Sequence, residues 1–433
     1  MQNQFKFNIK KFGPINEANL DLNNLTIVGG VNASGKSFSS RLLFCIMTAL
    51  SDEGKRIDND AIRNLFEDLI KRYDLNFSVI SNENMLSDEI SNLMNSWDNY
   101  DVSFKYLDNF YSKFEKTLND CDILNQDLKN DLQKIRSVID SHEDKFQYVL
   151  SVLRFLLLSE FGHDQINNFR DAHVSVLMDD SDCKMEYNLE FNEDSLNILM
   201  DTENQITCRK FSNVIYIDSI SAMDFQLTGN HIHYHYISLY DYLTREKQNK
   251  LGVYDNVDDL TNISRKFNGM LNGNFKFNQL DNIFSFESNG KSFDVKNISS
   301  GYKQIGVLQK LLVNNQLTGN SLLILDEPET NLHPGFQIQL AQIIVHMVKK
   351  LDIMVYINSH SPFIIEALEV YSKKEGIDAL TNFYMCKDID EQFNEFNIIP
   401  IDREDLKLLY DNLSNPFRLI NTIRFENELN DLD

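Results

Sequence analysis

Cysteine is scarce in this chain of 433 residues, which contains only five. The five are widely scattered and include no Cys-x-x-Cys pair, which argues against a disulfide framework and favours a reducing compartment. Long apolar runs are also missing, because no segment approaches the ~18 uninterrupted apolar residues of a membrane helix. The amino terminus lacks the pattern of a secretory signal. Together these absences predict a soluble, cytoplasmic protein with no membrane partner.

Basic residues are also in deficit, with 41 Lys and Arg against 65 Asp and Glu and a formal net charge of −24. A surface of this sign repels phosphate backbones over most of its area. A nucleic-acid partner would need a local basic patch or an assembled groove, and the sequence contains no long basic run. The acidity is better explained by solubility, and the net charge does not support nucleic-acid binding.

Proline is absent from residues 51–160, where apolar residues recur at helical spacing and acids outnumber bases. This pattern predicts an all-helical insertion, too irregular for a long coiled-coil rod. Strand patterns stand on either side of it, and from residue 298 helices alternate with apolar strands, as in parallel α/β folds. We therefore expect an α/β protein in three segments: residues 1–50, the insertion 51–160, and residues 161–433.

The stretch "VGGVNASGKSFSSRLL" contains a G-x-x-x-x-G-K-[ST] phosphate loop between a predicted strand and a predicted helix. Glycines let backbone N–H groups curl round phosphate oxygens, the lysine neutralises the β and γ phosphates, and the serine holds Mg²⁺. The sequence thus predicts a site for ATP and Mg²⁺. Its candidate residues are Gly30, Asn32, Ala33, Ser34, Gly35, Lys36, Ser37 and Phe38.

A second motif, "SLLILDEPE", places two acids directly after an apolar strand. Ligands of parallel α/β sheets bind at the carboxyl ends of the strands, so these acids should lie beside the phosphate loop. Asp326 is then the candidate for holding Mg²⁺ through water. Glu327 is the candidate for orienting and deprotonating the attacking water.

Two more motifs extend the pattern. In "NISSGYKQIG", Ser299 or Ser300 caps a predicted helix, whose amino terminus would make a second anion cradle. One triphosphate does not need two cradles within one chain, but a dimer does if each partner completes the other's site. In "VYINSHSPFIIEAL", His360 follows an apolar strand and is the candidate for sensing the γ-phosphate.

The order of these motifs resembles that of the ABC-type ATPases, a class of P-loop NTPases. The segments "NASGKS", "DEPETNLHP" and "SHSPFIIEAL" are similar to the SMC, RecF and OLD branch. They look most like OLD-like and RecF-like ATPases, which include subunits of anti-phage defence systems. The resemblance covers residues 1–50 and most of the chain after residue 160. It implies an ABC ATPase head, with a mixed sheet lobe, a parallel α/β core and the helical insertion in lobe I.

Several roles follow from this resemblance alone. Ser299 and Gly301 match the signature turn that touches the γ-phosphate in the partner's site. His333 stands in the loop after the Asp-Glu pair, where the family more usually has an acid, which leaves its role in dimer communication open. Gln165 is the candidate for a glutamine that contacts Mg²⁺ and water.

Other histidines invite other interpretations. His231, His233 and His235 in "HIHYHY" would share one face if the segment were a strand, and could then bind Zn²⁺ or Ni²⁺. The segment could also be a loop. The sequence shows no nearby carboxylate or cysteine to complete a catalytic set, so we favour a surface or partner contact. His163 and Asp164 could form a hydrolytic dyad, but no nucleophile motif accompanies them.

We expect an ATPase that dimerises on ATP, by sandwiching nucleotides between the loop of one copy and the signature turn of the other. No nuclease constellation is visible, so an effector nuclease would be a separate chain. The first hypothesis is an ATPase that controls such an effector in anti-phage defence. The second is a RecF-like or SMC-like ATPase of DNA repair, and the third is ATP as structural glue for an oligomeric scaffold.

Overall fold

The computed structural model describes most of the chain. The longest range that it does not describe is residues 73–103, and several shorter ranges are also left out. Its two compact units are residues Met1–Ser51 with Leu156–Asp433, and residues Asp52–Phe155. The described ranges are 4–51, 104–120, 126–141, 145–162, 171–179, 184–191, 196–200, 211–218, 233–245, 257–278, 283–390 and 395–413, with the single positions 62, 65, 66, 68, 69, 72, 169, 281, 420, 422 and 423.

The first unit is built on one mixed sheet of eleven strands, in the order β6-β5-β4-β1-β2-β14-β13-β3-β12-β11-β7. Its strands are β1 Gln4–Phe12, β2 Ile15–Asp21, β3 Leu25–Gly29, β4 Ala172–Asp179, β5 Lys184–Phe191, β6 Leu196–Met200, β7 Asn213–Ile217, β11 Ser321–Asp326, β12 Met354–Ser359, β13 Thr381–Asp390 and β14 Glu395–Ile401.

One half of the sheet is parallel, with β13, β3, β12, β11 and β7 side by side. Every residue of β3, β7, β11 and β12 is buried, which explains why these strands read as continuous apolar runs. In the other half, β6, β5, β4, β1 and β2 pair antiparallel, and buried positions alternate with more exposed ones along β1 and β4. The mixed α/β fold expected from the sequence is confirmed.

A separate sheet of three antiparallel strands follows the order β10-β9-β8. The strands are β8 Asn274–Asn278, β9 Ile283–Ser288 and β10 Lys291–Asp294. A turn at Asn289 and Gly290 joins β9 to β10, and both residues have positive φ, of 50° and 72°. This backbone is the one that tight hairpins require, and it explains the Asn-Gly pair.

Helices cover the parallel half of the sheet and share one apolar core with it. They begin and end where the chain supplies caps, as at α9, where Pro362 opens the first turn and Gly376 closes the last with φ 72°. The helices of this unit are α1 Lys36–Ala49, α5 Tyr234–Thr244, α6 Val257–Leu271, α7 Ser300–Val313, α8 Pro334–Leu351, α9 Pro362–Glu375 and α10 Leu406–Leu413.

In the second unit, every residue that the structure describes is helical. The helices are α2 Phe104–Asp120, α3 Gln126–Ser141 and most of α4 Lys145–Phe161, whose last turns belong to the first unit. Phe66, Phe110 and Phe114 form an aromatic cluster, with ring centroids 4.8 to 5.8 Å apart. Across the described ranges, no helix is long and apolar enough to cross a membrane.

Candidate nucleotide site

The carboxyl ends of the parallel strands bring three of the predicted motifs to one edge of the sheet. In register, Val28 of β3 stands beside Asn358 of β12, and Asn358 stands beside Asp326 of β11. The phosphate loop, residues 30–37, leaves the end of β3. The motifs were found separately in the sequence, and strand pairing is what makes them neighbours.

Backbone geometry explains the glycines of the phosphate loop. Gly35 has φ 85°, and a Cβ there would lie 2.9 Å from Ile15 Cγ1. At Gly30 a Cβ would lie 2.8 Å from the Cβ of Cys386 on β13. Ala33 also adopts a positive φ, of 63°. The loop is thus a tight, left-handed turn pressed against neighbouring strands, and glycine is needed at both positions.

Lys36 folds its side chain back into this loop and is almost fully buried. Its Nζ donates to the carbonyl oxygens of Gly30 at 2.9 Å and Val31 at 2.6 Å, and lies 3.4 Å from Ser34 Oγ. These oxygens satisfy the buried ammonium group and hold it at the centre of the loop. The positive charge is therefore fixed where a phosphate would bind.

Helix α1 begins at Lys36 with no side-chain cap and no acidic residue in its first turn. Its first N–H groups and the positive end of its dipole are thus free of a competing side-chain anion. This arrangement suits a phosphate group. The ring of Phe38 packs against Phe12 and Phe161, so a phosphate contact from Phe38 would come from its backbone N–H.

Asp326 is held by two side chains that the sequence did not reveal. Its Oδ2 accepts from the hydroxyl of Tyr216 at 2.9 Å, and its Oδ1 accepts from Nδ2 of Asn358 at 2.9 Å. The same Asn358 Nδ2 lies 2.9 Å from the carbonyl oxygen of Lys36 and donates to it as well. Asn358 thus ties the acidic strand end to the first residue of α1. Asp326 and Ser37 are hard oxygen donors of the kind that Mg²⁺ prefers.

Glu327 follows with a positive φ of 54°, while its N–H still donates to the carbonyl oxygen of Asn358 at 2.9 Å. Its Oε1 lies 3.4 Å from Nδ1 of His360. Pairing with His360 lowers the pKa of Glu327, and the same pairing raises the pKa of His360. At neutral pH the Glu327 carboxylate is therefore ionised and able to accept a proton.

Glu329 is a residue of this site that sequence reasoning missed. Its Oε1 accepts from Ser359 Oγ at 2.7 Å, from the N–H of His360 at 2.8 Å and from the N–H of Ser361 at 3.1 Å. Burial raises the pKa of this carboxyl group. The available signal was the third acid of "DEPE", which now has a role: Glu329 holds the turn that carries His360.

The signature turn, residues 297–301, lies at the start of α7. Ser299, one of the two serines predicted to cap this helix, is at the N-cap position, but its side chain makes no cap hydrogen bond. Ser299 and Ser300 are exposed, whereas Gly301 is buried. A Cβ on Gly301 would lie 2.4 Å from the carbonyl oxygen of Asn331, in the loop after the Asp-Glu pair. The signature turn and this loop therefore pack as one body, with two serines facing outward.

His333 caps helix α8, because its Nδ1 accepts from the N–H of Gly335 at 3.1 Å. An acid at this position could accept the same hydrogen bond, so the cap explains why a histidine can replace it.

The other predicted residues fall elsewhere. Gln165, His163, Asp164 and His231 lie outside the described residues. From Tyr234 onward "HIHYHY" is neither a strand nor a loop, because α5 begins there and His233 is its N-cap residue. Over these six positions, aromatic residues that alternate with other residues are also typical of a strand. The apolar residues that follow have helical spacing. The expected surface position is wrong for His235, which is buried beside Glu160 and Asp218. Within the described ranges no group of three or more His, Cys, Asp or Glu side chains could hold a metal ion.

A phosphate loop, an acidic strand end and a paired histidine on one edge of a parallel sheet define the class of P-loop ATPases. The chain belongs to the AAA ATPase domain family, whose profile matches residues 5–365. No curated protein matches the chain in sequence. The narrower resemblance to OLD-like ATPases stays a prediction.

Among solved structures, the chain is similar to the SMC head domain from Thermotoga maritima, with 9% identity and a TM-score of 0.42 over 93% of this chain and 100% of that one. An SmcHead bound to the C-winged helix domain of ScpA gives 9% identity and a TM-score of 0.46, covering 92% and 98%. MJ1267, an ATP-binding cassette of an ABC transporter in its ADP conformation, gives 9% and 0.33, covering 98% and 99%.

Proposed function

We propose that this protein hydrolyses ATP as an ABC-type ATPase of the SMC, RecF and OLD branch, that it dimerises on ATP, and that it controls a separate effector protein. The observation that carries the proposal is the meeting of Lys36, Asp326, Glu327 and His360 at one sheet edge. A positive charge, a metal-binding acid, a base and a paired histidine are the parts that phosphoryl transfer to water requires.

In the proposed reaction, Lys36 exchanges its contacts with loop carbonyls for the phosphates and neutralises charge that develops on them. Glu327 accepts a proton from the attacking water, which the ionised carboxylate can do. His360 is held by Glu329 and lies against Glu327, which supports the proposal that it responds to the γ-phosphate. Ser37 and Asp326 would hold Mg²⁺, which supplies charge neutralisation at the phosphates. Gln165 remains a proposed further contact.

A dimer is supported by the signature turn. Ser299 and Ser300 are exposed at the uncapped start of α7, a helix with no acidic residue in its first turn. This is a second cradle for an anion, carried by residues separate from the phosphate loop. We therefore propose that Ser299 and Gly301 complete the nucleotide site of a second copy.

The partner is proposed to be an effector such as a nuclease, in anti-phage defence. The net charge of −24 favours protein contacts over contacts with a phosphate backbone. A DNA-repair ATPase would instead show turnover stimulated by DNA, and a structural-glue role would show ATP binding with negligible turnover.

The decisive experiment compares ATP turnover in the parent, in Glu327→Gln and in Glu375→Gln, an acid of α9 that pairs with Lys349. We expect Glu327→Gln to retain ATP binding and to lose turnover by about 10²-fold or more, because it removes the general base. The Glu375→Gln control should match the parent. Equal turnover in the parent and Glu327→Gln would overturn the proposed mechanism, and stimulation of the parent by duplex DNA would favour the repair role.

A further inference from the structure

A second cluster of ionisable side chains lies outside the predicted motifs. His235, in the first turn of α5, stands between two buried carboxylates: its Nδ1 is 2.7 Å from Glu160 Oε2, and its Nε2 is 3.4 Å from Asp218 Oδ2. The relative exposures of His235, Glu160 and Asp218 are 1%, 2% and 7%. The sequence alone does not indicate this cluster, because Glu160 lies 75 positions before His235 and no local pattern connects them.

Burial and ion pairing act in opposite directions on the pKa values of His235 and Glu160. Burial alone would lower the pKa of His235, but Asp218 and Glu160 outweigh it and raise the pKa. Burial would raise the pKa of Glu160, but His235 outweighs it and lowers the pKa. Buried ion pairs contribute little net stability compared with apolar packing, so their use here points to a requirement for one specific arrangement.

One end of the cluster is fixed to helix α4. The N–H of His235 donates to Glu160 Oε1 at 3.0 Å, and the N–H of Tyr234 donates to Ser159 Oγ at 2.8 Å. Side chains from the last turn of α4 thus cap the first turn of α5. Helix α4 begins at Lys145, in the second unit, and its last turn lies in the first unit, so the residues that cap α5 belong to the helix that runs from one unit into the other.

The other end of the cluster reaches the nucleotide site. The ring of Tyr216 lies 4.9 Å from the ring of His235, centroid to centroid, and the Tyr216 hydroxyl donates to Asp326 at 2.9 Å. Arg41 of α1 interacts electrostatically with Tyr216, Glu160 and Asp326. A continuous set of packed polar groups therefore joins the last turn of α4 to the acid proposed to hold Mg²⁺.

We propose that Glu160, His235 and Asp218 are positioning residues that couple α4 to Asp326 through Tyr216, so that Mg²⁺ binding depends on the position of this helix. The inference rests on the proposed function, since it takes Asp326 as a Mg²⁺ ligand. A double-mutant cycle measures this coupling.

The experiment measures binding of a fluorescent ATP analogue to the full chain as Mg²⁺ is varied, for the parent, Glu160→Gln, Tyr216→Phe and the double variant. Groups that orient a metal ligand typically change metal affinity by about 10-fold or more. We expect each single variant to raise the half-maximal Mg²⁺ concentration about 10-fold, and the double variant to raise it by the same about 10-fold rather than about 100-fold. Nucleotide binding in EDTA should not change.

His346→Gln is the matched control, because His346 pairs with Glu375 at 3.1 Å in a separate imidazole–carboxylate pair. It should leave the Mg²⁺ dependence unchanged, alone and combined with Tyr216→Phe. If Glu160→Gln does not fold, Asp218→Asn replaces it in the same cycle with the same expectation. If the double variant raised the half-maximal Mg²⁺ concentration about 100-fold, the product of the two single effects, the proposed coupling would be overturned but the proposed function would not. A parent whose nucleotide binding ignores Mg²⁺ would instead overturn the proposed function.

Discussion

Glu327 shows how this site uses local backbone strain. A non-glycine residue with φ 54° costs about 1 kcal/mol, and such residues concentrate where function requires a particular direction of the side chain. The N–H of Glu327 still bonds to Asn358, so the strand ladder continues while its carboxylate comes within 3.4 Å of His360. The strained residue is the one proposed to act as base.

The Glu327–His360 pair makes stability depend on pH. Because the folded pKa of His360 is raised, its contribution is fully present below its ordinary value of about 6.5 and is lost as pH rises through the folded pKa. The folded pKa of Glu327 is lowered, so its contribution is present above about 4.3 and is lost as pH falls through the folded pKa. We expect His360→Gln to lower the thermal unfolding midpoint most between about pH 5 and 6, and least near pH 9.

His346→Gln is a control of opposite sign for this measurement. Burial lowers the pKa of His346, so the parent loses stability as pH falls through about 6.5, and the variant should gain relative to it. A His360→Gln difference that grew toward pH 9 would contradict the proposed pairing.

Some residues of this site belong to local sequence motifs, whereas others are defined only by partners that are distant in the sequence. Lys36, Asp326, Glu327 and His360 were predicted because each belongs to a local pattern at a strand end. Tyr216 and Asn358 were not, because their partners are set by strand order: Tyr216 lies 110 positions from Asp326. The sequence around an aromatic or amide residue in an apolar strand does not indicate which acid will accept its hydrogen bond.

At the scale of elements, the contact between α7 and the loop after the Asp-Glu pair leaves no room for a side chain. We expect Gly301→Ala to force the two apart, because its methyl group would meet Asn331 O at 2.4 Å. Overpacking of this kind costs roughly 1–3 kcal/mol. Thermal unfolding should report the loss, and dimerisation on ATP should weaken while nucleotide binding to the monomer persists.

Gly319→Ala is the matched control for that variant, because its Cβ would lie 3.5 Å from the carbonyl oxygen of Leu351, an ordinary van der Waals distance. It should leave both unfolding and dimerisation close to the parent. Retained dimerisation in Gly301→Ala, with the expected loss of stability, would count against a role for the signature turn in the partner's site.

The elements themselves were predictable where the pattern was long or the turn distinctive. The strand that ends in the acids, the strand that precedes His360 and the helix after Ser299 are all confirmed. Pattern alone does not decide the structure of "HIHYHY", because six alternating residues match a strand as well as the edge of a helix. The carboxylates beside His235 were missed because they come from α4 and the end of β7.

At the scale of the molecule, charge opposes the proposed dimer. Each copy carries −24, and two such copies repel each other through a field that salt screens within about 8 Å at physiological ionic strength. We expect Glu327→Gln with ATP to dimerise more tightly as salt rises from about 50 to 300 mM. Analytical ultracentrifugation measures this, with Lys36→Ala, which should remain monomeric, as control.

Binding to DNA would show the reverse salt dependence, because counterion release favours it at low salt. A variant that stays monomeric with ATP at every salt concentration would contradict the shared nucleotide site.

The sheet order also has a consequence for how the protein is made. Strand β3, which leads into the phosphate loop, is flanked by β12 and β13, so Leu25 pairs with Val355 and Thr381. A ribosome must therefore translate the chain as far as β12 before β3 gains either neighbour, and until then the apolar residues of β3 have no parallel strand to pair with. Contacts this distant in sequence slow folding. We therefore expect the strand that leads into the phosphate loop to gain its native neighbours late in folding, after β12 and β13 have been made.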